Sequence, residues 1–146
     1  MNIAIGSDHG GFGLKKELIP FIEKLGHTVS DFGCKDESSV DYPDYAIPVA
    51  KAVAAGEYAC GILICGTGVG VSISANKVKG ARCALCDNET TARLTREHND
   101  ANILALGGRI IGTEVAKSIV TIFLATDFSG DERHVKRICK ISEFEA

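Results

Sequence analysis

The sequence predicts an α/β fold: a single Rossmann-like three-layer sandwich with a five-stranded parallel sheet and an extra C-terminal helix. Five short apolar runs with strand character alternate with segments whose apolar residues recur at helical spacing. Strands and helices that alternate in this way form parallel sheets with helices on both faces. No repeat, low-complexity segment or linker interrupts the chain, so residues 1–146 are expected to form one domain.

The five predicted strands are residues 2–6, 28–31, 61–65, 81–86 and 102–106. After the first strand, Leu14, Leu18, Ile22 and Leu25 are spaced as one face of a helix that Gly26 closes. Pro20 lies inside this pattern and should kink the helix or displace its middle turn.

The remaining helices follow the later strands. Pro43 opens an alanine-rich helix that runs to about residue 55, and another helix leads from a glycine-rich loop to about residue 77. Asn88 or Asp87 caps the next helix, which ends near residue 97. Thr113 begins a helix with one apolar face, and Asp131 caps a final basic helix.

Composition excludes several classes of function. The chain has 16 basic and 19 acidic residues and a net charge of -3, which argues against a nucleic-acid binder that relies on a basic surface. No apolar run approaches the roughly 18 residues that span a bilayer, and no signal peptide is recognisable, so no membrane partner is expected. The cysteines in apolar runs indicate buried free thiols in a reducing cytosol, and hence a cytoplasmic protein. Cys83 and Cys86 match a C-x-x-C pattern by count only, since an extended strand would point them to opposite faces.

The most informative segment is the end of the third predicted strand, where Cys65 precedes the glycine-rich turn of residues 66–70. Glycines let a backbone approach a ligand closely, and N–H groups at a helix start have no partner inside the helix. Together they form a cradle for an anion, with a thiol at its lip. The spacing fits neither a dinucleotide fingerprint nor a nucleotide triphosphate loop. The alternative is a tight strand-to-helix turn with a buried cysteine behind it.

Other polar residues are expected to converge on this edge of the sheet. Asp8 and His9 follow the first strand, and Arg109 follows the fifth. His98 and Asn99 end the helix after strand four, which must return toward the sheet. Asp8 has an alternative role as a helix cap, and His98 as a favourable charge at a helix C-terminus. His27 and His134 are interpreted as surface residues.

Arg133 and Arg137 lie four residues apart on the final basic helix, so they share a face and can form a fork for a phosphate group. The alternative is a solvated basic face. The Asp8–His9 and Cys65 segments favour the phosphate site.

Several segments, in this order and spacing, resemble type B ribose-5-phosphate isomerases, a family that includes the subunits of galactose-6-phosphate isomerase. The resemblance runs from residue 3 to about residue 137. The segments that carry it are Ser7-Asp8-His9-Gly10-Gly11, Asp41-Tyr42-Pro43, Cys65-Gly66-Thr67-Gly68-Val69-Gly70, Ala75-Asn76-Lys77, His98-Asn99-Asp100 and Gly107-Gly108-Arg109.

The resemblance implies an isomerase of phosphorylated sugars that interconverts ribose 5-phosphate and ribulose 5-phosphate without a metal or cofactor. By similarity, Cys65 moves the proton between C1 and C2, Thr67 orients or activates it, and His98 opens the furanose ring with Asp8 as its partner. Tyr42 borders the sugar. The resemblance also implies which groups bind the enediolate oxygen: the backbone N–H groups of Gly66, Thr67, Gly68, Val69 and Gly70, together with Asn99. The phosphate and the sugar hydroxyls are implied to contact His9, Arg109, Arg133 and Arg137.

Two alternatives stay open at this point. A six-carbon aldose 6-phosphate, such as galactose 6-phosphate or allose 6-phosphate, needs a longer pocket whose depth the sequence does not show. A phosphate- or nucleotide-sensing module on the same sheet would have no need of a thiol and a histidine placed for proton transfer. The resemblance also implies a homodimer or a dimer of dimers with shared active sites. The exposed apolar face expected on the C-terminal helix fits that assembly.

Overall fold

The computed structural model describes residues 1–145, which form a parallel sheet between two helical layers. The strands are β1 (Asn2–Ser7), β2 (Thr28–Asp31), β3 (Cys60–Cys65), β4 (Cys83–Leu85) and β5 (Ile103–Gly107). The helices are α1 (Phe12–Lys24), α2 (Pro43–Ala54), α3 (Val69–Asn76), α4 (Glu89–Asn99), α5 (Thr113–Ala125) and α6 (Glu132–Glu145). The predicted α/β sandwich with five parallel strands and an added C-terminal helix is confirmed.

The strand order is β2-β1-β3-β5-β4, and every neighbouring pair is parallel. The chain leaves β1 toward one edge of the sheet and then returns to build β3 on the other side. The point between β1 and β3 is therefore a topological switch point, where open α/β sheets bind ligands beyond the carboxyl ends of their strands. Ser7 pairs with Ile64, and Cys65 pairs with Gly107, so β1, β3 and β5 end at one level.

The central strand β3 is buried along its whole length because helices cover both faces. Its residues alternate between two cores. Ile62 and Ile64 pack into the core beneath α1, α4 and α5, whereas Leu63 and Cys65 pack into the core beneath α2 and α3. The Cys65 side chain therefore lies on the α2–α3 face, where the glycine loop that follows it begins α3.

Helix α1 is continuous from Phe12 to Lys24, so Pro20 does not interrupt it. Pro20 is exposed, so the carbonyl that loses its helical N–H partner can face water. Strand β4 begins at Cys83 and ends at Leu85, so it is shorter than the predicted residues 81–86. Directly before it, the N–H of Arg82 donates to the side-chain Oδ1 of Asn102 at 2.8 Å and not to a neighbouring strand.

All six cysteines are free thiols. Cys83 and Cys86 pack into opposite cores, as the extended strand predicts. Burial raises the pKa of Cys60 to about 11, of Cys83 to about 12 and of Cys86 to about 11, so these three thiols stay protonated at neutral pH. Within residues 1–145, no helix has the length and apolar character needed to cross a membrane.

Candidate active site

Cys65 ends β3, and its side chain is 5 % exposed. The N–H of Gly68 donates a hydrogen bond to Cys65 Sγ at 3.1 Å. Gly68 has a φ of +79°, which a residue with a side chain rarely adopts, so a glycine is needed to aim this amide at the sulfur. Thr67 Oγ1 accepts from the N–H of Val69 at 3.2 Å and so caps the start of α3. The group that the structure places on the sulfur is thus the amide of Gly68.

The first turn of α3 follows the glycine loop directly, as the predicted anion cradle requires. Gly70 and Val71 are its second and third residues, where helix N–H groups have no partner inside the helix. The ring of Tyr42 covers Gly70 so closely that an added Cβ would lie 2.7 Å from the ring. Tyr42 precedes α2 and is 40 % exposed, so it forms one wall beside the cradle.

The loops after β1, β3 and β5 pack backbone against backbone. The N–H of Gly108 donates to the Cys65 carbonyl at 2.8 Å, and that of Arg109 donates to the Gly66 carbonyl at 2.9 Å. A Cβ added to Gly108 would lie 2.9 Å from the carbonyl oxygen of Gly10. This packing brings the loops that carry Asp8, Cys65 and Arg109 to the same edge of the sheet, as predicted.

Asp8 and His9 are both held by backbone groups. Asp8 is 7 % exposed, and its Oδ1 accepts from the N–H of Gly10 at 2.9 Å and of Gly11 at 3.2 Å. These N–H groups precede Phe12, the first residue of α1, and the helix has no side-chain cap, so Asp8 orders the turn before α1 and does not cap the helix itself. The bonds leave Oδ2 unused. His9 Nδ1 accepts from the N–H of Val40 at 3.2 Å. That bond assigns the proton of the neutral ring to Nε2, which makes His9 a hydrogen-bond donor toward a ligand oxygen.

Lys15 is a supporting residue that the sequence analysis missed. Its fully buried ammonium donates to Asp31 Oδ1 at 2.7 Å and to the Cys34 carbonyl at 2.6 Å. Residues 33 and 34 in turn pair with the backbone of Ser7, directly before Asp8. Lys15 thus fixes the loop beside the site. The available signal was a lysine next to Leu14 on the apolar stripe of α1.

His98 and Asn99 do not join this group within the chain, so the expected convergence of all four segments is wrong. Helix α4 starts beyond the carboxyl end of β4 and runs back to the opposite edge of the sheet. There Arg82, which directly precedes β4, donates to the carbonyls of Asn99 at 3.1 Å and Asp100 at 3.0 Å. The five residues of β5 separate the two edges by about 16 Å, at about 3.3 Å per residue. The helix end does return to the sheet, but at the amino ends of the strands.

A second concave region surrounds that helix end. A cavity of about 450 Å³ is lined by His98, Asn99, Arg82, Arg137 and Ile141, among other residues. Asp100 adopts a left-handed conformation with φ 45°. Its carboxylate is paired with Arg82 at 3.4 Å and with Arg96 at 3.0 Å. These two arginines fix the turn that ends α4 and carries His98 and Asn99.

The C-terminal helix α6 brings the arginine pair to this second region. Arg137 lines the cavity with His98, and Arg133 lies one turn earlier with 68 % of its side chain exposed. The prediction that His134 is a surface residue is wrong, since it is 6 % exposed and stacks on His98. Helix α6 packs against the end of α4, and burial of His134 follows from that contact.

The thiol of Cys65 accepts a hydrogen bond from a backbone amide and lies beside the N–H groups that begin a helix, at the topological switch point of the sheet. This combination is typical of an α/β enzyme site suited to proton transfer on an anionic substrate. The chain belongs to the ribose/galactose isomerase family, whose sequence pattern matches residues 3–141.

Named relatives and solved structures agree with that assignment. Ribose-5-phosphate isomerase B of Escherichia coli is 48 % identical, over 98 % of this chain and 95 % of the relative. The structure of ribose-5-phosphate isomerase B from Clostridium thermocellum matches with a TM-score of 0.97 at 54 % identity, covering 99 % of this chain and 97 % of the other. The Mycoplasma genitalium enzyme with bound ribulose 5-phosphate matches with a TM-score of 0.94 at 44 % identity, covering 99 % and 95 %.

Proposed function

We propose that the chain is an aldose–ketose isomerase that interconverts ribose 5-phosphate and ribulose 5-phosphate through ring opening and a cis-enediolate. The observation that carries this proposal is the Gly68 N–H on the sulfur of Cys65, at the mouth of the α3 cradle. Relatives named ribose-5-phosphate isomerase B, at 41 % and 48 % identity across nearly the whole chain, support ribose 5-phosphate as the substrate.

The chemistry assigned to this edge is proton transfer next to a carbonyl. Cys65 as thiolate takes the proton from C2 of the open aldose and returns it to C1, while the hydroxyl proton on O2 passes to O1. The enediolate between these steps carries negative charge on oxygen, and we assign its binding to N–H groups of the glycine loop. Within residues 66–70, the N–H of Gly68 is bonded to Cys65 and that of Val69 to Thr67, so the donors assigned to the enediolate are those of residues 66, 67 and 70. Thr67 keeps the cradle in shape by capping α3. His9 and Arg109 supply donors for the hydroxyls and the phosphate, and Tyr42 borders the sugar.

Two half-sites on one chain carry the residues assigned to the reaction. The carboxyl-edge half-site contains Asp8, His9, Tyr42, Cys65 with its glycine loop, and Arg109. The amino-edge half-site contains His98, Asn99, Arg133 and Arg137. A proton transfer needs heavy atoms about 3 Å apart, whereas these edges lie about 16 Å apart. One chain alone therefore cannot apply both half-sites to the same sugar.

We propose that a homodimer, or a dimer of such dimers, completes the site. The carboxyl-edge half-site of one subunit faces the amino-edge half-site of its partner, so each dimer has two shared sites. Exposed apolar side chains near both half-sites support this arrangement. Ile73 on α3 is 55 % exposed and Ile110 after β5 is 64 % exposed, while Ile141 on α6 is 51 % exposed. Contact between the carboxyl edge of one subunit and the amino edge of its partner would bury this apolar surface.

In the shared site, His98 of one subunit donates a proton to the ring oxygen as the bond between C1 and that oxygen breaks. Asp8 of the other subunit, its partner across the sugar, accepts the proton of the C1 hydroxyl, so that C1 becomes the aldehyde of the open sugar. Asn99 adds a donor for the enediolate oxygen. Arg133 and Arg137 bind the phosphate, and binding energy from that remote group positions C1 and C2. The six free thiols fit a reducing compartment, and we place the enzyme in the cytoplasm.

The test is ketose formation from ribose 5-phosphate, galactose 6-phosphate and allose 6-phosphate, measured side by side, with Cys65→Ala as the background control. The expected result is turnover with the highest kcat/KM for ribose 5-phosphate. Turnover of a six-carbon substrate alone would contradict the substrate assignment. Tight binding of ribose 5-phosphate without any ketose would identify a phosphate-binding module instead of an enzyme.

A further inference from the structure

The imidazole rings of His98 and His134 stack face to face. His98 ends α4 and His134 lies in the first turns of α6. Their ring centroids are 4.4 Å apart, and the ring planes differ by 18°. His134 is 6 % exposed, whereas His98 is half-buried and lines the amino-edge cavity. The stack therefore joins a ring that is open to a ligand with one enclosed by protein.

Several features keep His134 neutral. Its Nε2 is buried and has no hydrogen-bond partner within residues 1–145, so a charged ring would leave an N–H donor unsatisfied. Burial lowers the pKa of His134, and the neighbouring His98, Arg133 and Arg137 lower it further. The carboxylate of Asp131 acts in the opposite direction, but the pKa is lowered overall. At neutral pH, the buried ring is thus a flat, uncharged surface beneath His98.

The stack also differs from the usual way in which proteins orient a catalytic histidine. Such a ring is ordinarily held by a hydrogen bond from one nitrogen to a carboxylate or carbonyl. His9 and His27 each have a ring nitrogen in a hydrogen bond here. For His98, within the part of the chain described, the ring contact is the face of His134. Contact through the face leaves both nitrogens of His98 available to the substrate.

We propose that His134 is a positioning residue for ring opening: its flat face fixes the plane of the His98 imidazole while both His98 nitrogens remain free for the sugar. This inference rests on the proposed function, in which His98 opens the furanose. The nitrogens of His134 take no part, and its aromatic face is the property that matters.

Two substitutions at His134 distinguish a role of its aromatic face from a role of its ring nitrogens. His134→Phe keeps a flat ring without nitrogens, and His134→Leu fills a similar volume without a flat face. We expect kcat for ribose 5-phosphate to stay within threefold of wild type in His134→Phe and to fall at least tenfold in His134→Leu, with KM changed less than twofold in both. His27→Phe is the matched control, because it removes an imidazole far from α6, and it should leave kcat unchanged.

A spectroscopic measurement checks the geometry independently of activity. The chain has four histidines, so ¹⁵N-labelled histidine gives few enough ring signals to assign each one. The His98 ring protons should show the ring-current shift of a stacked neighbour in wild type and His134→Phe, and lose that shift in His134→Leu.

Three outcomes would overturn the proposal. Full activity in His134→Leu would show that the stack is not needed, and equal loss in both variants with the shift retained in His134→Phe would assign the role to a nitrogen. If active wild type lacked the ring-current shift, the rings of His98 and His134 would not be stacked in solution, and the proposal would be wrong. A wild-type enzyme without isomerase activity would instead overturn the proposed function, and the role of His134 with it.

Discussion

The N–H of Gly68 donates to Sγ of Cys65 across 3.1 Å, and this bond distinguishes Cys65 from the other buried cysteines. The thiolate is the form of a cysteine that acts as a base. Burial raises the pKa of Cys60, Cys83 and Cys86, so these three thiols stay protonated at neutral pH. Cys65 differs from them in having a backbone N–H donor directed at its sulfur.

Replacing Cys65 with alanine should lower kcat for ribose 5-phosphate by about 10²-fold to 10⁴-fold, which is the usual loss when a general base is removed. Binding of the sugar phosphate and the melting temperature should change little. Cys86→Ala removes a thiol that is 1 % exposed elsewhere in the core and serves as the control with near-normal kcat. If the Cys65→Ala enzyme kept more than a tenth of the wild-type kcat, Cys65 would not be the base.

Mixing inactive variants should reveal the shared site. Cys65→Ala damages the carboxyl-edge half-site, and Arg137→Ala damages the amino-edge half-site. A mixed dimer then keeps one intact site, so equal mixing should restore about a quarter of wild-type activity. Cys65→Ala mixed with Asp8→Asn should restore none, because both changes fall on the same half-site. Subunit exchange is verified by mass, and recovery in the second mixture or none in the first would contradict the arrangement.

His98→Asn should affect the two directions of the reaction differently. Ribose 5-phosphate is mainly a closed ring that must be opened, whereas ribulose 5-phosphate cannot form the same ring. The loss of kcat should therefore be larger for ribose 5-phosphate than for ribulose 5-phosphate, measured as initial rates in each direction. Equal losses would assign His98 to the enediolate step or to structure.

The stability of the protein should depend on His134 below neutral pH. Its pKa is lower in the folded than in the unfolded chain, so the unfolded state binds more protons as pH falls below about 6.5. The free energy of unfolding should then fall with decreasing pH more steeply in wild type than in His134→Phe. Urea unfolding at pH 7.5 and pH 5.5 measures this difference, and parallel pH dependences would show that His134 is not buried as a neutral ring.

Backbone packing at the site predicts a sharp contrast between two neighbouring glycines. A Cβ on Gly11 would collide with the backbone carbonyl of Ile64, whereas a Cβ on Gly13 would meet nothing within 4 Å. Gly11→Ala should lower the free energy of unfolding by about 2–3 kcal/mol or more. Gly13→Ala should leave it unchanged or raise it by up to about 1 kcal/mol, because Gly13 lies in a helix. Similar unfolding curves for both variants would contradict the close contact.

Local patterns were sufficient to predict most of the fold. The alternation of apolar runs with helical spacing predicted the five strands in order. Of the two residues predicted as the cap of α4, Asn88 and Asp87, the structure selects Asn88, whose side chain accepts from the Thr91 N–H. Helix α1 includes Pro20 without interruption because the proline faces solvent, where a missing hydrogen bond is tolerated, and the sequence alone does not show that exposure.

The sequence was enough to predict which residues form the candidate site, but not that these residues lie at two opposite edges of the sheet. Cys65, Asp8 and Arg109 each follow a strand, so parallel topology was enough to place them together. His98 follows a helix, and a helix between parallel strands ends at the opposite edge of the sheet. Burial of His134 depends on how α6 docks against α4, a long-range packing choice that no local pattern encodes.

The cradle at the start of α3 is built from main chain, and that limits how the enzyme can change in evolution. A ligand oxygen held by N–H groups meets main-chain donors, and side chains are excluded at Gly68 by its positive φ and at Gly70 by the ring above it. The packed loops of Gly10 and Gly108 leave no room to reshape these donors. A new substrate length must therefore be accommodated from the opposite wall. In the proposed dimer, the residues free to vary there are those on α4 and α6 of the neighbouring subunit. Under that arrangement, selection for a different sugar would act on a surface that each chain presents to its partner and not on the pocket it keeps for itself.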